Sequence, residues 1–328
     1  MSYKRLVLLA TVLTFGLIML GAYVRLSDAG LGCPDWPGCY GQLSPSHASE
    51  HIAAAVQVQG GEQGPVSLPK AWKEMVHRYI ASFLGLLICA IAVMAWKLRD
   101  PLQQSPALPT VLVGVVCLQG AFGAWTVTLL LKPAIVTGHL IGGMLLLALL
   151  TWLCLRQSAW VGDIGLFRKT SRLRILARIG FLVVATQIVL GGWVSTNYAA
   201  VVCTDFPTCQ GSFWPVMEFE HAFHWVRELG QTPDGGLLSV ASLTAIHMIH
   251  RLGALVVCGV LVLLACALWR SSSGKPLSVT LFGVLALQIA LGIGNVVFQL
   301  PLALAVAHNG LAALLLVILV VVNYRVKS

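Results

Sequence analysis

Eight long apolar stretches, separated by short polar ones, constrain this chain more than any other feature of its sequence. They run from Leu6 to Val24, Trp72 to Trp96, Leu108 to Leu131, Ala134 to Leu155, Ile175 to Val194, Ser239 to Trp269, Leu277 to Phe298 and Leu302 to Tyr324. Each is close to the roughly 20 residues that a helix needs to cross about 30 Å of hydrocarbon. No water is present there to satisfy backbone amides and carbonyls, so a continuous apolar run of this length crosses as an α-helix. Composition agrees: 10% of the 328 residues are charged and 58% are hydrophobic, whereas soluble domains carry about 25% charged residues. An ordinary water-soluble enzyme and a disordered chain are excluded, and the expected fold is an all-α integral membrane protein.

The net charge of +9 reflects orientation and not nucleic-acid binding, because no basic patch interleaved with aromatics is present. An even number of spans puts both termini on one side. That side collects Lys4, Arg5, Lys97, Arg99, Arg156, Arg168, Lys169, Arg172, Arg174, Arg178, Arg270, Lys275, Arg325 and Lys327. The other side holds Arg25, Lys70, Lys73, Lys132 and Arg227, with Arg78 and Arg251 inside helices. The positive-inside rule makes both termini cytoplasmic in a bacterial-type inner (plasma) membrane, with the long cysteine-bearing loops periplasmic. The first run begins like a secretory signal after Lys4 and Arg5, but it exceeds the usual apolar core of about 7–15 residues. Its place in an internal repeat makes it a retained helix.

That repeat organises the chain. Gly21-Ala22-Tyr23-Val24 matches Gly191-Gly192-Trp193-Val194, and the loop from Cys33 to Gly41 matches Cys203 to Gly211 as C-x-D-aromatic-P-x-C-x-G. His77-Arg78 matches His250-Arg251, Leu118-Gln119 matches Leu287-Gln288, and His139 matches His308. Four helices per half give both halves the same orientation, as in parallel repeats. The expectation is two four-helix bundles, residues 1–160 and 161–328, related by a pseudo-twofold axis along the membrane normal.

Four histidines occupy matching places. His77, His139 and His308 lie about six residues into their runs and His250 about a dozen, near the outer surface by the 1.5 Å rise per residue. Each half thus presents two imidazoles on facing helices, the arrangement for axial ligation of one haem iron per bundle. A lone membrane histidine needs no more than a hydrogen-bonding neighbour, but pairing in both halves favours ligation, since intramembrane ionisable groups are costly and usually functional. Covalent attachment through C-x-x-C-H is absent from the sequence, so any haem is held noncovalently. His221 and His224 read as interfacial side chains of an amphipathic stretch, and His47 and His51 as solvated loop residues.

The halves differ in one informative way. Glu74 stands three residues before His77, on the same helix face, while the second half has His247 before His250. A buried carboxylate beside a haem edge is a candidate proton acceptor or stabiliser of developing positive charge; the alternative is a helix-start residue favoured by the dipole. Arg78 and Arg251 are candidate partners of haem propionates, with snorkelling to the interface as the alternative. On an oxidising outer face, Cys33 with Cys39 and Cys203 with Cys209 favour two intraloop disulfides over a four-thiolate zinc site. Cys89, Cys117, Cys154, Cys258 and Cys266 read as small packing residues, and Gln119 and Gln288 as hydrogen-bonding between helices.

Together, the string from Arg25 to Pro37 (RLSDAGLGCPDWP), Glu74-x-x-His77-Arg78, Gly138-His139, His250-Arg251 and His308-Asn309 resemble the haem A synthase family over nearly the whole chain. The resemblance implies an eight-helix oxidoreductase that converts the C8 methyl of haem O to a formyl group, giving haem A for cytochrome oxidase. It implies a resident haem b held by His250 and His308. His77 and His139 then face the iron of the haem O substrate, and Glu74 occupies the catalytic position. Membrane lipid, haem O synthase and cytochrome oxidase assembly are the implied surroundings. A di-haem b electron carrier also accounts for the histidines but leaves Glu74 without a role. A transporter leaves the histidine pairs and the cysteine loops unexplained.

Overall fold

A computed structural model describes residues 2–59, 61, 64–157 and 171–327. Among them all regular structure is helical apart from three isolated β-bridges. Eight of the described helices are long and apolar enough to cross a membrane. They are α1 (Tyr3–Leu26), α2 (Leu68–Lys97), α3 (Ala107–Thr128), α4 (Pro133–Arg156), α5 (Ser171–Thr196), α6 (Val240–Trp269), α7 (Lys275–Val297) and α8 (Leu302–Lys327). The boundary expected between residues 160 and 161 lies outside the described residues, as do Arg168 and Lys169. One compact unit runs to Leu146 and a second begins at Leu147, within α4.

Local chemistry sets the helix ends. α2 starts at Leu68, earlier than the apolar run, because the Ser67 side chain accepts from Lys70 N at 3.4 Å and Pro69 occupies the first turn, where a missing N–H costs nothing. Ser239 caps α6 in the same way, accepting from Ser242 N at 3.0 Å. The α3–α4 corner uses Leu130 and Leu131 at φ +50° and +59°, and the α7–α8 corner uses Gln299 and Leu300 at +56° and +62°. Leu131 N then reaches back to Thr126 O (2.8 Å) and Leu300 N to Asn295 O (2.7 Å), the six-to-one bond that closes a helix C-terminus. The Leu108–Leu131 run therefore ends its helix at Thr128, three residues early.

In the first unit α2 packs against α1 and α3; in the second, α5, α6, α7 and α8 close a ring. Leu84, Ile88 and Ile91 of α2 are buried in one, and Leu261, Leu264 and Leu319 in the other. Leu86, Phe83, Leu182 and Leu255 are exposed, as lipid-facing helix surfaces require. Cys89, Cys117 and Cys266 are also exposed, so these three face outward and do not pack the interior as expected.

The two long loops carry structure that the sequence did not reveal. Residues Ser49–Val58 form a short helix, with exposed His51 stacked on Tyr40 at a ring separation of 6.5 Å. The segment with His221 and His224 is built of turns, without a helix. Buried Arg227 ties it down, donating to Asn197 Oδ1 and His224 O (3.1 Å) and lying over the Trp193 ring.

Candidate functional site

Each unit carries a disulfide loop stapled to the first turns of a histidine helix. Cys33 is bonded to Cys39 and Cys203 to Cys209. The aspartate of the repeated motif is the loop's internal anchor. Asp35 accepts from Tyr40 N (2.6 Å) and Gly41 N (2.8 Å), and Asp205 from Gln210 N (2.7 Å) and Gly211 N (3.0 Å). Gly41 and Gly211, at φ +73° and +74°, supply the left-handed conformation that lets the chain turn back to that carboxylate. Thr208 Oγ1 adds a third bond to Asp205 at 2.5 Å, and these bonds hold its carboxyl below the ordinary carboxylate range.

The arginines fasten each loop to its helix. Arg78 Nη1 donates to the carbonyls of Asp35 (2.8 Å) and Gly38 (2.6 Å). Arg251 donates from Nη1 to Thr208 O (2.8 Å) and from Nη2 to Asp205 O (3.0 Å). The donors proposed for haem propionates are thus engaged with loop carbonyls. Glu74, 5% exposed, is held in the same clamp: Oε1 accepts from Arg78 Nη2 at 2.5 Å and Oε2 from Cys33 N at 3.0 Å. In the second unit His247 takes the place of Glu74, and Arg251 Nε donates to its Nε2 at 3.3 Å.

The histidines come together within each unit as expected. His77 and His139 are close enough for their charges to interact, and so are His250 and His308. All four rings keep part of their surface accessible. A shared packing device places them: each ring sets its Cε1 edge against a glycine of the neighbouring helix. A Cβ on Gly21 would lie 3.1 Å from His77 Cε1, on Gly123 3.5 Å from His139, on Gly191 3.1 Å from His250, and on Gly292 3.0 Å from His308. The Gly21–Gly191 correspondence was visible in the repeat; its purpose was not.

These residues fit a haem iron. The ring nitrogen Nδ1 of His77 is buried without a hydrogen bond. His308 Nδ1 faces Gln288 O at 3.1 Å, which puts the proton on Nδ1 and the lone pair on Nε2, where a metal would bind. Among the described residues no group of three or more His, Cys, Asp or Glu gathers around an ion site. Two neutral imidazoles with no third protein ligand are the donor set of axial haem ligation. Gln288 meets His308 between helices, Nε2 to Nε2 at 3.4 Å. Sequence reasoning missed Gln187, whose Nε2 lies 3.0 Å from His250 Nδ1 and 2.8 Å from His250 O.

Fold and site together define a helical membrane protein with one imidazole pair in each unit and, three residues before His77, a buried carboxylate whose place His247 takes in the second unit. The chain belongs to the cytochrome oxidase assembly protein family (COX15-CtaA), which matches residues 4–320. It is 42% identical over 326 residues to "Heme A synthase" of Shewanella oneidensis, covering 99% of this chain and 96% of that one. Proteins of the same name from Caulobacter sp. (strain K31) and Chelativorans sp. (strain BNC1) are each 28% identical, over 96% and 93% of this chain and 93% and 85% of theirs.

Proposed function

We propose that the chain is a haem A synthase, a membrane oxidoreductase that converts the C8 methyl of haem O to a formyl group. The observation that carries this reading is the glycine-backed imidazole pair in each unit of a chain belonging to this family. His77 and His139 hold the haem O substrate in the first unit, and His250 and His308 hold a resident haem b in the second. Going from methyl to formyl introduces one oxygen and removes four electrons, through the hydroxymethyl compound and a hydrated aldehyde that loses water. The haem groups that these histidines would hold would supply the redox chemistry for that change, passing the four electrons on to an external acceptor.

This chain's own residues bind and orient. The imidazoles fix the plane of the substrate, and the glycines hold the rings in register. Glu74 carries negative charge at the outer end of the substrate unit, where it stabilises positive charge or takes a proton as the methyl is oxidised. Arg78 and the Cys33–Cys39 loop hold that carboxylate in place. Both termini are cytoplasmic and both disulfide loops periplasmic, by the distribution of basic residues. The product is consumed by cytochrome oxidase assembly.

Haem extraction and chromatography of the purified protein tests the reading. Haem O or haem A beside haem b is expected. Haem b alone would make the chain an electron carrier, and no haem at all a transporter.

A further inference from the structure

The imidazoles of α2 and α6 are matched in sequence and in their glycine backing, yet their second ring nitrogens differ. His77 Nδ1 is buried with no hydrogen bond. His250 Nδ1 meets the Gln187 side chain at 3.0 Å. Gln187 lies on α5 four residues before Gly191, and the matching residue four before Gly21 is Leu17. The amide enters a notch that only glycine leaves open: a Cβ on Gly253 would lie 3.4 Å from Gln187 Cδ, with Oε1 nearer still. Gly253 stands three residues after His250, and the residue three after His77 is Ile80. An amide and its notch in one unit are thus replaced together by two branched apolar side chains in the other.

We propose that Gln187 is a positioning residue for His250, and that the Gln187–Gly253 pair makes the second unit retain its haem while Leu17–Ile80 lets the first unit release its own. The proposal rests on the assignment of the histidine pairs as haem ligands. Iron at Nε2 leaves the proton on Nδ1, and a neighbouring acceptor for that N–H fixes the ring and raises the basicity of the ligand. Gln187 has such an acceptor in its Oε1, which is buried without a partner while the amide nitrogen serves the His250 carbonyl. Turning the amide about its last bond brings Oε1 to Nδ1–H. The turn gives up the Nε2–H bond to the His250 carbonyl, an exchange driven by the metal-bound tautomer, in which Nδ1 carries the proton and can no longer accept from the amide nitrogen. His77 has only apolar side chains at the corresponding places, so its iron bond is the weaker one. A substrate unit must release its product; a resident unit must not release its haem.

Gln187→Leu, Gln187→Glu, His250→Ala and the double variant Leu17→Gln/Ile80→Gly test this in the full-length protein. Haem loss to excess apomyoglobin and the midpoint potential of the resident haem are the readouts. Outer-shell hydrogen bonds to a ligating histidine typically contribute about 10–100-fold in metal affinity. Gln187→Leu should therefore speed haem loss by a factor in that range and raise the potential. Gln187→Glu, which keeps the acceptor and adds charge, should retain the haem and lower the potential. The double variant should carry more haem in the first unit after purification than the parent. His250→Ala separates the two levels of argument. If it keeps an unchanged haem spectrum, the ligand assignment fails and the proposal with it. If it loses the haem while Gln187→Leu and Gln187→Glu both match the parent in potential and haem loss, the proposal alone is overturned. Should Gln187→Leu not fold, a Gln187→Glu potential equal to that of the parent overturns it equally.

Discussion

Replacing Glu74 by Gln separates catalysis from architecture, because both carboxylate oxygens accept hydrogen bonds and the substitution removes one acceptor. Oε1 takes Arg78 Nη2 and Oε2 takes Cys33 N, at 2.5 and 3.0 Å. The glutamine amide keeps one oxygen, so its NH₂ must face either a guanidinium or a backbone N–H, donor against donor. A hydrogen bond to a charged group contributes about 1.5–3 kcal/mol net, and that range is the expected local destabilisation. It falls on the Cys33–Cys39 loop and the start of α2, all within the first unit, and leaves His250 and His308 untouched. A positioned acid–base or electrostatic group typically contributes about 10² to 10⁴ in rate. The Glu74→Gln protein should therefore fold with a lower melting temperature, keep its resident haem, and accumulate haem O or the hydroxymethyl compound. The assay is chromatography of haem O, hydroxylated haem and haem A per mole of resident haem, from cells supplied with haem O. A normal yield of haem A per mole, together with the lowered melting temperature, would make Glu74 a loop clamp and refute its catalytic role.

Two further expectations rest on different parts of the structure. Gly292→Ala places a methyl 3.0 Å from His308 Cε1 while Gly283, on the same helix, has nothing within 4 Å of its would-be Cβ. Overpacking of this kind costs about 1–3 kcal/mol, so Gly292→Ala should lose resident haem and melt earlier, and Gly283→Ala should do neither; equal haem content in the two would refute the backing role of the glycine. Asp205 has a carboxyl held below its ordinary range by Thr208, Gly211 and Gln210, so its contribution is complete above the unfolded value of about 3.9 and is lost as pH falls through the folded value. Hydrogen exchange should show Gln210 and Gly211 amides protected at neutral pH and released only below the ordinary carboxylate range, with Asp205→Asn releasing them at neutral pH; protection unchanged by Asp205→Asn would refute the anchor.

The spans were legible because hydrocarbon imposes a length that no soluble core demands, and the cysteine loops because a nine-residue pattern recurs almost intact from Cys33 to Gly41 and Cys203 to Gly211. Facing was not legible. In lipid both faces of a helix are apolar, so periodicity could not distinguish outward Cys89 or Leu86 from inward Ile88 and Ile91. The α3–α4 corner was hidden because its left-handed residues are Leu130 and Leu131 and no glycine marks them. The partners of Glu74 were hidden for another reason. Helix geometry placed it beside His77, but its hydrogen bond to Cys33 spans 41 residues, and no local pattern reports a contact at that separation. Gln187 was hidden because a repeat displays what its halves share, and the counterpart of Gln187 is Leu17.

That mismatch fits the proposed division of work between the two units. Whatever either unit needs in order to hold a planar iron ligand is present in both: paired imidazoles, a glycine behind each ring, an aspartate-anchored disulfide loop, and an arginine fastening that loop to the helix. Three of the differences fall at matched positions on the helices that carry and back one imidazole. Glu74 stands against His247, Leu17 against Gln187 and Ile80 against Gly253. An electron carrier with two equivalent haems would gain nothing from a buried carboxylate at one site and a buried amide at the other, since each costs free energy unless its hydrogen bonds are made. A unit that must bind, oxidise and release needs a charge near the reacting group and a ligand that lets go. A unit that only keeps its haem needs the reverse. The carboxylate lies in the unit whose histidine lacks the amide, and the amide lies in the unit without the carboxylate, the distribution that a division between reaction and retention requires.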